Sequence, residues 1–223
     1  MGVLVKAEDV YIGYSNHEPV IKKGNFKIYT KDFVFLTGVS GSGKTTIIKS
    51  LYGEVPIIRG SLNVGGIELN KIRKSKLSYL RKYLGVVFQD YKLIPEWTIL
   101  KNVMLPMLIA GIDKNTAEEE AIKLLNKVKL SHKLDKYPAE LSGGEQQRAA
   151  IARAIIHDPV MILADEPISG LDEYSANLVM ELFIMANREK DITIMIASHS
   201  LPQTFDIDYR QIHLEKGHVY ELS

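Results

Sequence analysis

Four short apolar runs punctuate the chain: Phe33–Leu36, Val86–Phe88, Val160–Ala164 and Ile192–Ala197. Each is too short for a helix, rich in Val, Ile, Leu, Phe or Met, and free of polar alternation. That pattern predicts strands buried on both faces, as in a parallel sheet. Helical periodicity lies between them, so the predicted class is α/β. Thr116–Leu130 carries Ala117, Ala121, Leu124, Leu125 and Val128 on one face, with Thr116 and Glu119 spaced as a capping box. A second helix is predicted over Glu173–Lys190. The first 30 residues and Gly60–Leu69 read as short strands and turns of a small antiparallel layer.

The strand ends hold the polar candidates. Gly38 follows the first run, Gln89 the second, Asp165 the third, and Ser198-His199 the fourth. Open parallel sheets bind ligands outside the carboxyl ends of their strands. Adjacent strands would therefore bring these groups to one edge.

Gly38–Thr45, GVSGSGKT, fits G-x-x-x-x-G-K-[ST] between a predicted strand and a helix, TTIIKSLY, that stops at Gly53. Its glycines allow backbone N–H groups to turn toward phosphate oxygens, and the helix N-terminus adds a positive dipole end. Lys44 would reach the terminal phosphates and Thr45 would ligate Mg²⁺. Val160–Pro167, VMILADEP, ends a buried strand in Asp165 and Glu166. One carboxylate can hold a hydrated metal ion and the next can polarise water, two tasks that phosphoryl transfer requires. Leu141–Arg148, LSGGEQQR, pairs Ser142 with Glu145 as a capping box for a helix running to about His157, before Pro159. Gly143 and Gly144 leave first-turn N–H groups uncovered, which makes either a plain capped turn or a second anion site.

Composition narrows the setting. The 223 residues include 28 Lys and Arg, 27 Asp and Glu, a net charge of +1, 46% hydrophobic residues and no Cys. That size suits one domain or one core with an inserted subdomain. Balanced charge gives no overall nucleic-acid footprint, and lack of Cys excludes disulfides and thiol catalysis. The N-terminus has no signal-peptide core, and no apolar run approaches the ~20 residues of a membrane span. A membrane role would act through a partner.

The order of these motifs resembles that of ABC ATPases over essentially the whole chain: the Gly38–Thr45 loop, Gln89 at a strand end, LSGGE, Asp165-Glu166, the turn Ser169–Asp172, and His199. The resemblance implies a P-loop NTPase (RecA-like) parallel-sheet core, an antiparallel β subdomain, and an inserted α-helical subdomain over about 91–157, within one nucleotide-binding domain spanning 1–223. It also implies ATP and Mg²⁺ as ligands. Gly38, Ser40, Gly41, Ser42, Gly43, Lys44, Thr45 and Thr46 would hold the phosphates. Tyr14 would stack on adenine, with Tyr11 as a rival. Thr45, Gln89 and Asp165 would serve the metal. Glu166 would activate water, and His199 and Gln89 would position it and the γ-phosphate. Ser142, Gly143 and Gly144 would contact ATP held by a second copy, so a homodimer forms on ATP binding, with Asp172 aiding communication across it. An integral membrane subunit is the implied partner, nucleic acid is not, and the implied location is the cytoplasmic face of the inner membrane.

Within the family, Gly85–Gly111 with FLTG, FQD and LADEP resembles the FtsE type, which pairs with FtsX-like membrane proteins. The LolD and MacB types are similar. Ile168–Asp172 departs from the usual TGNLD, and Ala197–Ser200 reads ASHS where an acid often follows the His. Ile99–Ile109 is apolar nearly all round and too short to span a bilayer, so it is either buried or a partner surface. The resemblance places some of Tyr91–Met107 in a groove for the membrane subunit.

Overall fold

A computed structural model describes residues 2–15, 17–199, 201 and 207–222. It divides into two compact units, one of residues 1–81, 163–166 and 193–223, the other of 82–162 and 167–192. Ser200, the last residue of the ASHS segment, lies outside the described residues.

The first unit holds two sheets. Strands β1 (Val3–Ile12), β2 (Ile21–Tyr29), β4 (Ile57–Val64) and β5 (Ile67–Glu68) form an antiparallel sheet in the order β2-β1-β4-β5. This is the expected antiparallel layer. Its inward positions, such as Val5, Ile28 and Leu62, are fully buried. In the second sheet β3 (Phe33–Thr37) lies between β8 (Thr193–Ser198) and β9 (Arg210–Glu215), parallel to both. Strand β10 (His218–Leu222) pairs antiparallel with β9, and Leu163–Asp165, the end of strand β7 (Met161–Asp165), lies beyond β8. Every residue of β3 and β8 is buried, as the unbroken apolar runs require. Helices α1 (Lys44–Leu51) and α2 (Lys74–Arg81) complete the unit.

The second unit is mostly helical: α3 (Ile99–Ala110), α4 (Lys114–Lys127), α5 (Gly143–Ile155) and α6 (Glu173–Lys190), with strand β6 (Leu84–Val87) and the first residues of β7. Helix α5 packs on α3, α6 and β6. Helix α6 has the expected limits, set by Asp172, whose carboxylate accepts from Ser175 N, and by Asp191 in the left-handed region. Helix α4 corrects the sequence reading. It starts two residues early because Asp113, not Thr116, is the cap and accepts from Thr116 N at 3.0 Å. Asp-x-x-Thr is as good a cap pattern as Thr-x-x-Glu, and the Gly-Ile-Asp lead-in favours the earlier one. Its five expected core positions are all buried. Strand β6 likewise begins before the apolar run, because Gly85 interrupts the run without interrupting the strand. Helix α3 splits the Ile99–Ile109 segment: Ile99, Val103 and Met104 are buried, while Leu108 and Ile109 are exposed. No helix among the described residues is long and apolar enough to cross a membrane.

Candidate functional site

In the first unit the β3 strand delivers the loop. The Thr37 hydroxyl is held by Gln211 Nε2 at 2.8 Å and lies 3.0 Å from His213 Nδ1, both on the neighbouring strand. The chain then turns at Gly38, φ 150°, where a Cβ would lie 2.4 Å from Leu214 O and 2.7 Å from Ser42 Oγ. Only glycine fits so close an approach at that φ. Gly43, at φ 109°, caps α1 without a side chain, and the first helical bond runs from Ile47 N–H to Gly43 O at 3.0 Å. The first-turn N–H groups, those of Lys44, Thr45 and Thr46, are thus left without helical partners. Ser40 and Gly41 form the exposed tip of the loop, and Thr46 is buried in the helix.

Lys44 is 6% exposed and folds back on the loop. Its ammonium donates to Gly38 O at 2.8 Å and Val39 O at 3.3 Å and lies 3.5 Å from Glu166 Oε1. The other Glu166 oxygen lies 3.1 Å from His199 Nδ1. Glu166 sits just past β7 at φ 48°, and its N–H donates to Ala197 O at 2.9 Å, so the adjacent β8 strand fixes its backbone. The Thr45 hydroxyl donates to Asp165 Oδ1 at 3.1 Å. Burial pushes the Asp165 carboxyl above the ordinary Asp range; the Thr45 hydrogen bond and the Lys44 charge oppose that, and Glu166 adds to it. Lys44, Thr45, Asp165, Glu166 and His199 therefore meet at one place, from three of the four strand ends expected to converge.

The site fits a nucleoside triphosphate with a divalent ion. Among the described residues Ser42 Oγ is buried with no hydrogen-bond partner, which leaves it for a phosphate oxygen or for the groups that bind one. Thr45 and Asp165 present hard oxygens suited to Mg²⁺, which uses few protein ligands beside substrate phosphates. Tyr14, 66% exposed, follows β1, while the Tyr11 ring lies under the Arg59 guanidinium at 5.6 Å. The rival aromatic is occupied in packing.

The second unit carries Gln89 and the LSGGE segment. Gln89 is exposed in the turn after β6. Tyr91 and Lys92 follow at φ 60° and 47°, and Arg153 of α5 donates to their carbonyls at 2.7 and 2.6 Å. Burial lowers the Arg153 pKa to about 10, which leaves it charged at neutral pH. Buried Asn102 secures the next residues: its oxygen accepts from Ile94 N at 2.7 Å, and its amide donates to Ile94, Trp97 and Thr98 carbonyls at 3.1 Å. Ser142 caps α5 in the expected reciprocal box, accepting from Glu145 N at 3.3 Å while Glu145 accepts from Ser142 N at 2.8 Å. Burial works against the Glu145 charge, but the Ser142 bonds and Lys133 outweigh it and hold its pKa low. A Cβ on Gly144 would lie 2.8 Å from Ser175 Oγ, so this glycine also permits close packing of α5 on α6.

Arg153 and Asn102 escaped the sequence reading. Each acts on backbone rather than on a ligand, and neither stands in a motif of its own. The one signal was a lone Asn within an apolar helix, ILKNVMLPMLIA.

Comparisons with known proteins show the family. The family described as ABC transporter matches residues 21–169. The cell division ATP-binding protein FtsE of Streptococcus pneumoniae (strain D39) is 38% identical over 216 residues, 97% of this chain and 94% of that protein. The lipoprotein-releasing system ATP-binding protein LolD of Legionella pneumophila (strain Paris) is 36% identical over 222 residues, 98% and 97% of the two chains. The glutamate/aspartate import ATP-binding protein GltL of Escherichia coli (strain K12) is 38% identical over 208 residues, 93% and 86%. Among solved structures, the ATP-binding cassette MJ0796, dimeric in a post-hydrolysis state bound to ADP and Pi, superposes with TM-score 0.86 at 30% identity, covering 98% of this chain and 97% of that one. The fold, the phosphate loop with its carboxylate pair, and these relatives together place the chain in the ABC transporter family, as an ATP-binding subunit that hydrolyses ATP.

Proposed function

We propose that the whole chain is one nucleotide-binding cassette, with the helical part at about 91–157, that works as an ATP-gated dimer on the cytoplasmic face of the inner membrane. The single observation behind the mechanism is the Glu166 carboxylate held between Lys44 and His199, at 3.5 and 3.1 Å. In this reading ATP draws Lys44 onto its β- and γ-phosphates, the first-turn N–H groups of α1 and Ser42 hold the phosphate oxygens, and Tyr14 stacks on adenine. Glu166, released from Lys44, takes a proton from the attacking water, and His199 and Gln89 orient that water and the γ-phosphate. Thr45, Asp165 and Gln89 would hold Mg²⁺, which supplies neutralisation of the phosphate charge. Ser142, Gly143 and Gly144 of a second copy complete the site, with Asp172 near that seam. ATP closes the dimer and hydrolysis reopens it.

Closure is transmitted to an integral membrane subunit, for which part of Tyr91–Met107 forms the receiving groove. The turn after Gln89 supports this, being tied to α5 by Arg153 and to α3 by Asn102. The specific system we infer is FtsE-like, with an FtsX-like partner and control of cell-wall hydrolysis in division as output. The Gly85–Gly111 segment and the FtsE relative support it. An exporter or lipoprotein-release subunit of the MacB or LolD type is the alternative, supported by the LolD relative at similar identity. Co-purification decides: a four-span FtsX-like protein that binds the chain and raises its ATPase rate is the expected result. Binding to a LolC- or MacB-like protein instead would overturn the FtsE-like assignment.

A further inference from the structure

The chain is nearly neutral, yet Lys71–Lys82 holds six cations and no carboxylate. Net charge is +1, so the chain without those six would carry −5. Such a concentration needs a reason, because like charges placed together repel and cost stability. Lys71, Arg73, Lys74 and Lys76 are all exposed, on α2 and the turn before it. None of the four forms an ion pair among the described residues, whereas Lys49, Lys123, Lys127 and Lys136 each sit 2.6–3.0 Å from a carboxylate. Exposed lysines without an ion pair among the described residues also occur elsewhere, at Lys22, Lys101, Lys114 and Lys129, but only here do four such cations fall within six consecutive positions.

The patch has a fixed base. Leu80 is buried, Leu77 lies against Gly53 so closely that a Cβ there would be 2.4 Å from Leu77 Cδ1, and Arg81 donates to Tyr52 O at 2.9 Å. Lys71, Arg73 and Lys76 border an open cleft of about 540 Å³. The one carboxylate on that cleft, Glu68, accepts from Ser61 Oγ at 2.8 Å and Leu62 N at 3.2 Å, which directs it to the sheet. Tyr79, 56% exposed, adds an aromatic ring with a polar tip to the helix.

We infer that Lys71, Arg73, Lys74 and Lys76 form a docking surface for the anionic phosphate headgroups of a lipid bilayer. Unpaired cations on a rigid short helix, with an amphipathic Tyr and no apolar wedge, suit a charged surface rather than a hydrophobic groove. The inference rests on the membrane-associated reading above, in which the bilayer is the nearest polyanion. Attraction of this kind acts within about a Debye length, ~8 Å at physiological salt. The patch would set how the cassette lies against the membrane and assist the partner subunit in holding it there.

The test is sedimentation of the full chain with vesicles of phosphatidylcholine alone or with about 30% phosphatidylglycerol. Each basic residue near an anionic surface strengthens binding about fivefold. Replacing the four together, as Lys71→Gln, Arg73→Gln, Lys74→Gln and Lys76→Gln, should weaken binding to the anionic vesicles by about 600-fold and leave ATPase activity unchanged. A control with Lys22, Lys101, Lys114 and Lys129 each changed to Gln, exposed lysines elsewhere, should bind nearly as the parent does. Equal loss in both variants, full binding by the patch variant, or no binding of the parent to anionic vesicles would each overturn the inference. So would patch-dependent binding to a fluorescent oligonucleotide without vesicle binding, which would assign the surface to nucleic acid. Failure of the parent to hydrolyse ATP with any membrane partner would instead count against the functional reading, independently of the vesicle result.

Discussion

Replacing Glu166 with Gln keeps the side chain's volume and removes its charge. Two consequences follow from the geometry. The carboxylate lies 3.5 Å from Lys44 Nζ, with the two side chains 16% and 6% exposed. Unit charges at that separation attract by about 5 kcal/mol at an effective dielectric of 20 and about 1 kcal/mol in water. Incoming phosphate must displace this carboxylate from the lysine. Neutralising it also removes a negative charge from beside the γ-phosphate. After the desolvation that any buried pair carries, a net gain of about 1–2 kcal/mol remains, a five- to thirtyfold tightening of ATP binding. Hydrolysis should fall by about 10²–10⁴, the usual contribution of a positioned base. Titration with a fluorescent ATP analogue measures the first effect, and phosphate release over time the second. Size-exclusion chromatography with ATP should show the variant retained as a dimer. Unchanged ATP affinity would refute the competition between Glu166 and phosphate for Lys44. A parent-like steady-state rate would refute Glu166 as the base.

Three further outcomes are expected. Asp165→Asn should melt at a higher temperature than the parent without nucleotide and Mg²⁺, because burial raises the Asp165 pKa and ionisation there works against the fold. By linkage the variant's advantage grows as pH rises through and above the ordinary Asp range and vanishes below it; thermal melts from pH 4 to 8 check this. Ser142→Ala removes one side of the α5 cap, so about 1 kcal/mol and roughly 2–4 °C in Tm should be lost. ATP-driven dimerisation should disappear in the same variant, and Ser142→Thr should restore the Tm. Tyr14→Ala should weaken ATP binding about 5- to 100-fold through lost stacking worth about 1–3 kcal/mol, whereas Tyr11→Ala, whose ring packs on Arg59, should leave the affinity unchanged in the same titration.

Local chemistry made several features readable in the chain alone. A loop that must wrap phosphate needs glycine at set positions, and Gly38 and Gly43 do adopt positive φ. Strands buried on both faces need unbroken apolar runs, so β3 and β8 appeared where expected. A reciprocal cap is complete within four residues, and Ser142 with Glu145 formed it as read. The same locality misled at Thr116: two cap patterns overlap there, and the reading took the later one although the Gly-Ile-Asp lead-in favours Asp113.

Tertiary structure decided what depends on residues distant in the chain. Thr45 meets Asp165 across 120 positions, and Glu166 meets His199 across 33, only because β3, β8 and the end of β7 are neighbours in one sheet. Arg153 reaches the Tyr91 carbonyl 62 positions back, and no local pattern marks an arginine whose partner is backbone. The fold-back of Lys44 onto its own loop carbonyls and onto Glu166 was equally absent from the motif, which names the residue and not its contacts. Sequence alone determined which groups could handle phosphate. Strand order and packing decided which of them meet, because a side chain reaches only a few ångströms and the sheet brings distant strand ends within that range.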